Sequence, residues 1–331
     1  MQLLCVIFLP CELLYFTDAM SLLALIAALL LEQLHPLSSR KYLQGWLSGY
    51  VSFFQHHFNG GKRKHGKIAW LLVVLPLLAV TVVLYWLLCK AHPVFAWAFN
   101  VLVLYLTMGF RQFSHYFTDI HQALRDGRLD EARNLLSRWR GIHSHELNAE
   151  EIARVTVEEA LIASHRNVFG VIVWFVLFSV VGLGGAAGAL MYRLGQFLRI
   201  RWADEDAGEA GEFGSFARRA FYLLEWLPIR MTAATFAIVG NFEDTVYCWR
   251  TQAASWPDSE AGILLASGAG ALGVRLGMPI PQGGLPLGRP ELGVGDDADV
   301  DFMRSTIGLV WRSVVFWSLI LLLLTLASLL G

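Results

Sequence analysis

Charge is scarce in this chain. Asp, Glu, Lys and Arg make up 16% of its 331 residues, against 56% hydrophobic, whereas a soluble domain carries about 25% charged residues. Mean hydropathy is +0.51, and the apolar residues fall in blocks separated by polar loops. That distribution excludes one large water-soluble core and indicates helices whose partner is a lipid bilayer. The net charge of −1 supplies no global field to recruit nucleic acid. Cysteine is equally thin: Cys5, Cys11, Cys89 and Cys248 show no CxxC spacing, which excludes a disulfide framework or a thiolate metal site.

Other signatures are also missing. No P-loop, zinc signature or nucleophile–base set occurs. All ten histidines lie between His35 and His165, and neither His115/His121 nor His143/His145 has the i, i+4 spacing that puts two imidazoles on one helix face, so no metal site is expected. The "DDADVD" run at 296–301 has Phe302 and Gly308 where a calcium loop needs glycine and glutamate, and reads as a solvated loop. "GLGGAAG" at Gly182–Gly188 has no βαβ unit around it and reads as close helix packing.

What is present is a series of apolar runs. Ile68–Leu88, Val94–Phe110, Val168–Met191 and Ile307–Leu330 approach or exceed the ~17–25 residues that cross the hydrocarbon. Phe221–Val239 is a fifth candidate, interrupted by Glu225 and Arg230. The expected fold is all-α: a polytopic integral membrane protein with about four to six transmembrane helices and a cytoplasmic helical loop.

The segments follow in order. An N-terminal apolar helix occupies 1–34; its first stretch lacks a basic region and makes a poor secretory signal, and Met20 offers a second start. Segment 35–67 carries Arg40, Lys41, Lys62, Arg63, Lys64 and Lys67, with no acid from Ser38 to Lys67, which makes it cytoplasmic. Its Leu43, Trp46, Leu47, Tyr50 and Phe54 suit an amphipathic helix on the membrane. Two membrane helices fill 68–110. Segment 111–167 returns to the cytoplasmic side as a helical subdomain: "RDGR" turns a hairpin whose stripe is Leu129, Ala132, Leu135, Leu136 and Trp139. Asn148 and Glu151 then form a capping box for a helix running on into the next span. Membrane helices packed through glycine take 168–240, a loop region takes 241–306, and the last transmembrane helix takes 307–331. The acidic stretches 203–214 and 293–301 read as exposed linkers.

Arg275 stands out in the small-residue run "AGALGVRLG" (269–277). Either it aims its fork of donors at a ligand from a close-packed turn, or it pairs with an acid to hold the fold. Glu225 and Arg230 likewise face a polar cavity or snorkel to the interface.

Together these segments resemble the CobD/CbiB family of cobalamin-biosynthesis membrane proteins, with its regulatory relative AmpE. The resemblance is carried by His35–Pro36 before the basic stretch, by "GAAGALMYR" at Gly188, Ala189, Tyr192 and Arg193, by "EWLPIRMTA" at Pro228, Arg230 and Thr232, and most closely by "AGALGVRLG". The chain departs from the family where "LEQLHP" replaces Gly-Asp-Pro before His-Pro, where "IASHRNVFG" replaces an Ala-Glu-Asn…Asp element, and where Glu225 alone stands for paired aspartates. The resemblance implies a bacterial inner-membrane protein that joins the carboxylate of a corrinoid, adenosylcobyric acid, to aminopropanol or its phosphate, consuming ATP with magnesium. It implies a site for an anionic or amide-rich small molecule drawn from Arg193, Tyr192, Arg230, Glu225, Arg275 and His35. The lost acids leave a second reading beside the enzyme: an AmpE-like sensor that binds a ligand without turning it over.

Overall fold

In a computed structural model the described residues are 11–34, 40–141, 144–205, 212–282 and 285–330. They are nearly all helical: α1 (Cys11–Leu34), α2 (Arg40–Phe58), α3 (Arg63–Ala91), α4 (Pro93–Thr107), α5 (Phe110–Arg125), α6 (Leu129–Arg140), α7 (Ala149–Ser164), α8 (Gly170–Val180), α9 (Gly185–Arg199), α10 (Ser215–Val239), α11 (Phe242–Gln252), α12 (Ser259–Leu272) and α13 (Val300–Leu330). A π-turn, His165–Phe169, joins α7 to α8. Among the described residues, three stretches are long and apolar enough to cross a membrane: Arg63–Ala91, Ala149–Val180 and Val300–Ala327.

Two expected spans change, and the fifth candidate, Phe221–Val239, lies in α10, which is not among the stretches apolar enough to cross. Val94–Phe110 is helical only over the 15 residues of α4, about 22 Å at ~1.5 Å per residue, short of the ~30 Å hydrocarbon. Val168–Met191 is not one helix. It turns back at Gly182–Gly184, where Gly182 and Gly184 adopt φ of 79° and 84°, a region closed to most side chains. The loop expected over 241–306 is mostly ordered as α11, α12 and five short strands.

The chain divides into two compact units: Met1–Gly109, Gly170–Glu225 and Ser318–Gly331 in one, Phe110–Phe169 and Trp226–Trp317 in the other. In the first, α8 and α9 form a tight hairpin, and α9 also packs on α3 and α4. The expected small-residue packing occurs here: a Cβ on Gly188 would collide with the Trp174 carbonyl. Asn100, 3% exposed in α4, accepts the Ala186 N–H at 3.1 Å and caps α9. A core of Val51, Val73, Leu194, Leu198, Trp202 and Phe213 takes up Leu47, Tyr50 and Phe54 of α2. Of the expected stripe, Leu47, Tyr50 and Phe54 are thus partly buried against the protein, and Trp46 is exposed. Pro228 in α10 cannot donate to the Leu224 carbonyl, and the Trp174 indole N–H supplies that bond at 3.0 Å.

The second unit is built around α7, whose residues Ile152–Glu158 are all buried. The α5–α6 hairpin packs against it, with Gly127 in the turn at φ 72°. The Asn148–Glu151 capping box is present in full. On α7 also lies α12, buried from Glu260 to Ala271. Its small residues admit close neighbours: a Cβ on Gly268 would strike Leu161 of α7, and one on Gly270 the Asp244 carbonyl of α11. After α12 the chain forms β1 (Val274–Gly277), β2 (Ile280–Gln282), β3 (Leu285–Leu287), β4 (Glu291–Leu292) and β5 (Asp296–Asp297). β1 is central, antiparallel to β4 and parallel to β5, with Arg275 opposite Asp297. The stretch 293–301, expected as a linker, therefore completes a small sheet and supplies Asp299 as a cap for α13. Of the other acidic stretch, 206–211 lies outside the described residues.

Candidate functional site

The second unit contains an unusual concentration of buried charge where α7 meets the turn after β1. Glu158 accepts the Gly277 N–H at 2.8 Å and a two-pronged pair from Arg289, at 2.7 Å to Oε1 and 2.9 Å to Oε2. The two side chains are 5% and 10% exposed. Arg289 also donates to the carbonyls of Gly277 at 2.6 Å and Met278 at 3.1 Å, and lies 5.3 Å from the centre of the Trp256 ring. A buried ion pair persists only when its remaining donors and acceptors are used, as they are here. The network pins the Gly277–Met278 backbone to α7.

Met278 is held in a conformation it would not choose. Its φ is 63°, and among the described residues no other non-glycine has a positive φ. Such backbone strain costs about 1–3 kcal/mol and persists where the surroundings enforce it. The Met278 N–H bonds to the Pro290 carbonyl at 3.2 Å and its own carbonyl accepts from Arg289. The result sets the thioether over Arg154.

Arg154 lies one helical turn before Glu158 and is 7% exposed. Its Nη1 meets the Met278 Sδ at 3.4 Å, a weak acceptor, and its Nε has no hydrogen-bond partner among the described residues. No carboxylate among the described residues lies within ion-pair distance of it. A buried guanidinium is normally matched by an acid. Here the arrangement can take an oxyanion or carbonyl oxygen, with the flexible thioether giving way.

The residues named by the resemblance are distributed differently. Arg275 bonds Asp297 at 2.9 Å and reaches Glu291 at 3.7 Å, fastening β1 to β5 and β4; this is the fold-holding arrangement of the two open readings. Arg230 lies 3.5 Å from Glu260 and stacks over Trp226 at 4.4 Å. Near it, Thr232 gives its only proton to the Pro228 carbonyl at 3.0 Å, so His165 Nδ1 must be the donor in its 2.9 Å contact with that hydroxyl. In the other unit, Tyr192 packs on Phe221 and against Gly170, and Arg193 donates to Gln196 at 2.6 Å. Glu225, 2% exposed, lies 3.8 Å from Arg199. His35 lies outside the described residues, as does His143.

Arg154, Glu158 and Arg289 were not singled out by sequence reasoning. The signal available was an Arg and a Glu at i, i+4, Arg154 and Glu158, in the largely apolar "IARVTVEEAL". Arg289 sits in "PLGRPEL", where no periodicity marks it.

Residues 21–310 match the family described as CobD/Cbib protein. The chain belongs to the CobD/Cbib family. A relative in Stutzerimonas stutzeri, named cobalamin biosynthesis protein CobD, is 35% identical over 91% of this chain and 96% of its own length. Another of that name, in Chromobacterium violaceum, is 33% identical over 76% of this chain and 72% of its own. A cobalamin biosynthesis protein CbiB in Salmonella arizonae is 27% identical over 80% and 85%. No solved structure matches the chain.

Proposed function

We propose that the protein acts in cobalamin biosynthesis as a multi-pass protein of the bacterial inner membrane, with 35–67 and 111–167 on the cytoplasmic side, and that Arg154 receives an anionic or amide oxygen of a corrinoid substrate. The supporting observation is the Arg154 guanidinium, without a carboxylate partner among the described residues and covered by a strained Met278 that the Glu158–Arg289 pair holds in place. The relatives' shared name favours this reading over a regulatory one.

The reaction implied by the resemblance joins a carboxylate to an amine. ATP, with magnesium, would supply the activation of that carboxylate. Among the described residues no group of three or more His, Cys, Asp or Glu is arranged to hold a metal ion. The part assigned to this chain is to bind and orient. Arg154 would hold one carboxylate oxygen in a site shielded from water, where a charge-assisted bond is stronger than in bulk. Arg230 is a second candidate, about a third exposed and only loosely held by Glu260 at 3.5 Å. A binding role for Arg193, Tyr192, Glu225, Arg275 or His35 rests on the resemblance alone.

Growth tests the proposal. A corrinoid-dependent host lacking the gene should grow on cobinamide and fail on cobyric acid, and the wild-type gene should restore growth on cobyric acid. Equal growth of the deletion strain on both would remove the biosynthetic role.

A further inference from the structure

A second site lies within the first unit. The first turn of α3 and the segment 212–224 border an open cleft of about 1170 Å³. Lys62, Arg63, Lys64, Lys67 and Arg219 line it, with Glu212 as the one acid among the described residues. Among the described residues, none of the five cations makes an ion pair. Glycine permits the close approach of the two: a Cβ on Gly66 would collide with the Phe213 carbonyl.

The electrostatics of this helix start are inverted. A helix N-terminus carries a partial positive charge and favours acids in its first turn. The first turn of α3 has no acid, and its capping residue, Lys62, makes no side-chain cap. Four basic side chains thus sit at the positive end of a 29-residue helix. An anion is the missing partner.

Apart from His65, the remaining walls are apolar, among them Trp70, Trp174, Phe216 and Leu223. The Trp70 indole N–H finds no acceptor among the described residues. From Ile68 onward the exposed surface of α3 continues apolar through Leu72 and Leu75 along a stretch long enough to cross a membrane. Tryptophan beside basic residues at the end of such a helix marks headgroup depth. A soluble phosphate would use the cations but not the greasy wall. We infer that the cleft is a headgroup site for an anionic phospholipid, its phosphate held by the α3 first turn and Arg219, and its acyl chain laid along Trp70 and Leu223.

Lipid retention on the purified full-length protein tests this. In detergent solutions doped with phosphatidylglycerol or phosphatidylcholine, native mass spectrometry should show the wild type retaining the anionic lipid at least about tenfold better, given ~1 kcal/mol per basic residue near a charged headgroup. Changing Lys62, Arg63, Lys64 and Lys67 to Gln should bring the ratio near one. Arg219→Gln, on the opposite wall, should lower it part-way, and Lys62→Arg with Lys64→Arg and Lys67→Arg should keep it. Millimolar pyrophosphate should displace little lipid. Equal retention of both lipids by the wild type, an unchanged ratio in the Gln variants, or displacement by pyrophosphate would each overturn the assignment.

Discussion

Replacing Arg154 with methionine removes a charge while keeping an apolar side chain of comparable length. If Arg154 served the fold, the protein should weaken. The structure argues the reverse. Among the described residues, Arg154 is 7% exposed, finds only a sulfur at 3.4 Å as a hydrogen-bond partner, and leaves its Nε unsatisfied. Taking such an ion out of water costs several kcal/mol even after relaxation, and the thioether returns little of it. Arg154→Met should therefore stabilise the apo protein by about 1–3 kcal/mol, a rise in melting temperature of roughly 2–10 °C for a unit of this size. The same variant should fail to restore growth on cobyric acid. Thermal unfolding of purified protein in one detergent, run beside complementation at matched expression, reads both effects. A lower melting temperature, or full complementation, would refute the reasoning.

The neighbouring pair should behave oppositely. Arg289→Met leaves a 5%-exposed carboxylate with one backbone donor and should cost about 3–5 kcal/mol, while the double change Arg289→Met with Glu158→Leu should recover most of that loss; equal losses in single and double variants would contradict the pair. Arg275→Ala should cost at most about 1 kcal/mol, because its ion pairs are half-exposed; a collapse of stability would show that the small sheet depends on it. Burial holds His121 below the usual histidine range, with Arg125 and Arg304 adding to the effect and Asp301 opposing it. Its stabilising contribution is complete above about pH 6.5 and is lost as pH falls through the lowered folded value, so His121→Gln should flatten the acid-side fall in unfolding midpoint; an unchanged slope would contradict this. Burial, with Asp244 nearby, raises the Cys248 thiol to about 11, so a variant retaining only that cysteine should resist maleimide at pH 8 until denatured; rapid labelling of the native protein would contradict the burial.

Much of the fold was legible because its signals are local. Asn148 and Glu151 announce their helix by spacing, Gly127 announces its turn, and the apolar runs of α3 and α13 announce themselves by length. Where the expectation missed, a second element decided. Hydropathy runs unbroken through Val168–Met191, but Gly182 and Gly184 allow a reversal that packing of α8 on α9 then rewards. Asp296 and Asp297 look like a solvated run until β1 is there to pair with them. The site was less legible for the same reason. Arg275 is conspicuous among small residues, yet its partners, Glu291 and Asp297, come from strands too short to show a period. Arg154 looks like one polar residue of a helix, and only the turn carrying Met278 and Arg289, more than a hundred residues later, makes it buried and unmatched.

Equilibrium binding of cobyric acid to the purified protein, followed by the absorbance of the corrin, reaches the central claim most directly. The account predicts saturable binding by the wild type and binding weakened at least about tenfold in the well-folded Arg154→Met variant, the loss expected when a charge-assisted hydrogen bond is removed. Equal affinity in the two proteins, or no binding by the wild type, would contradict it.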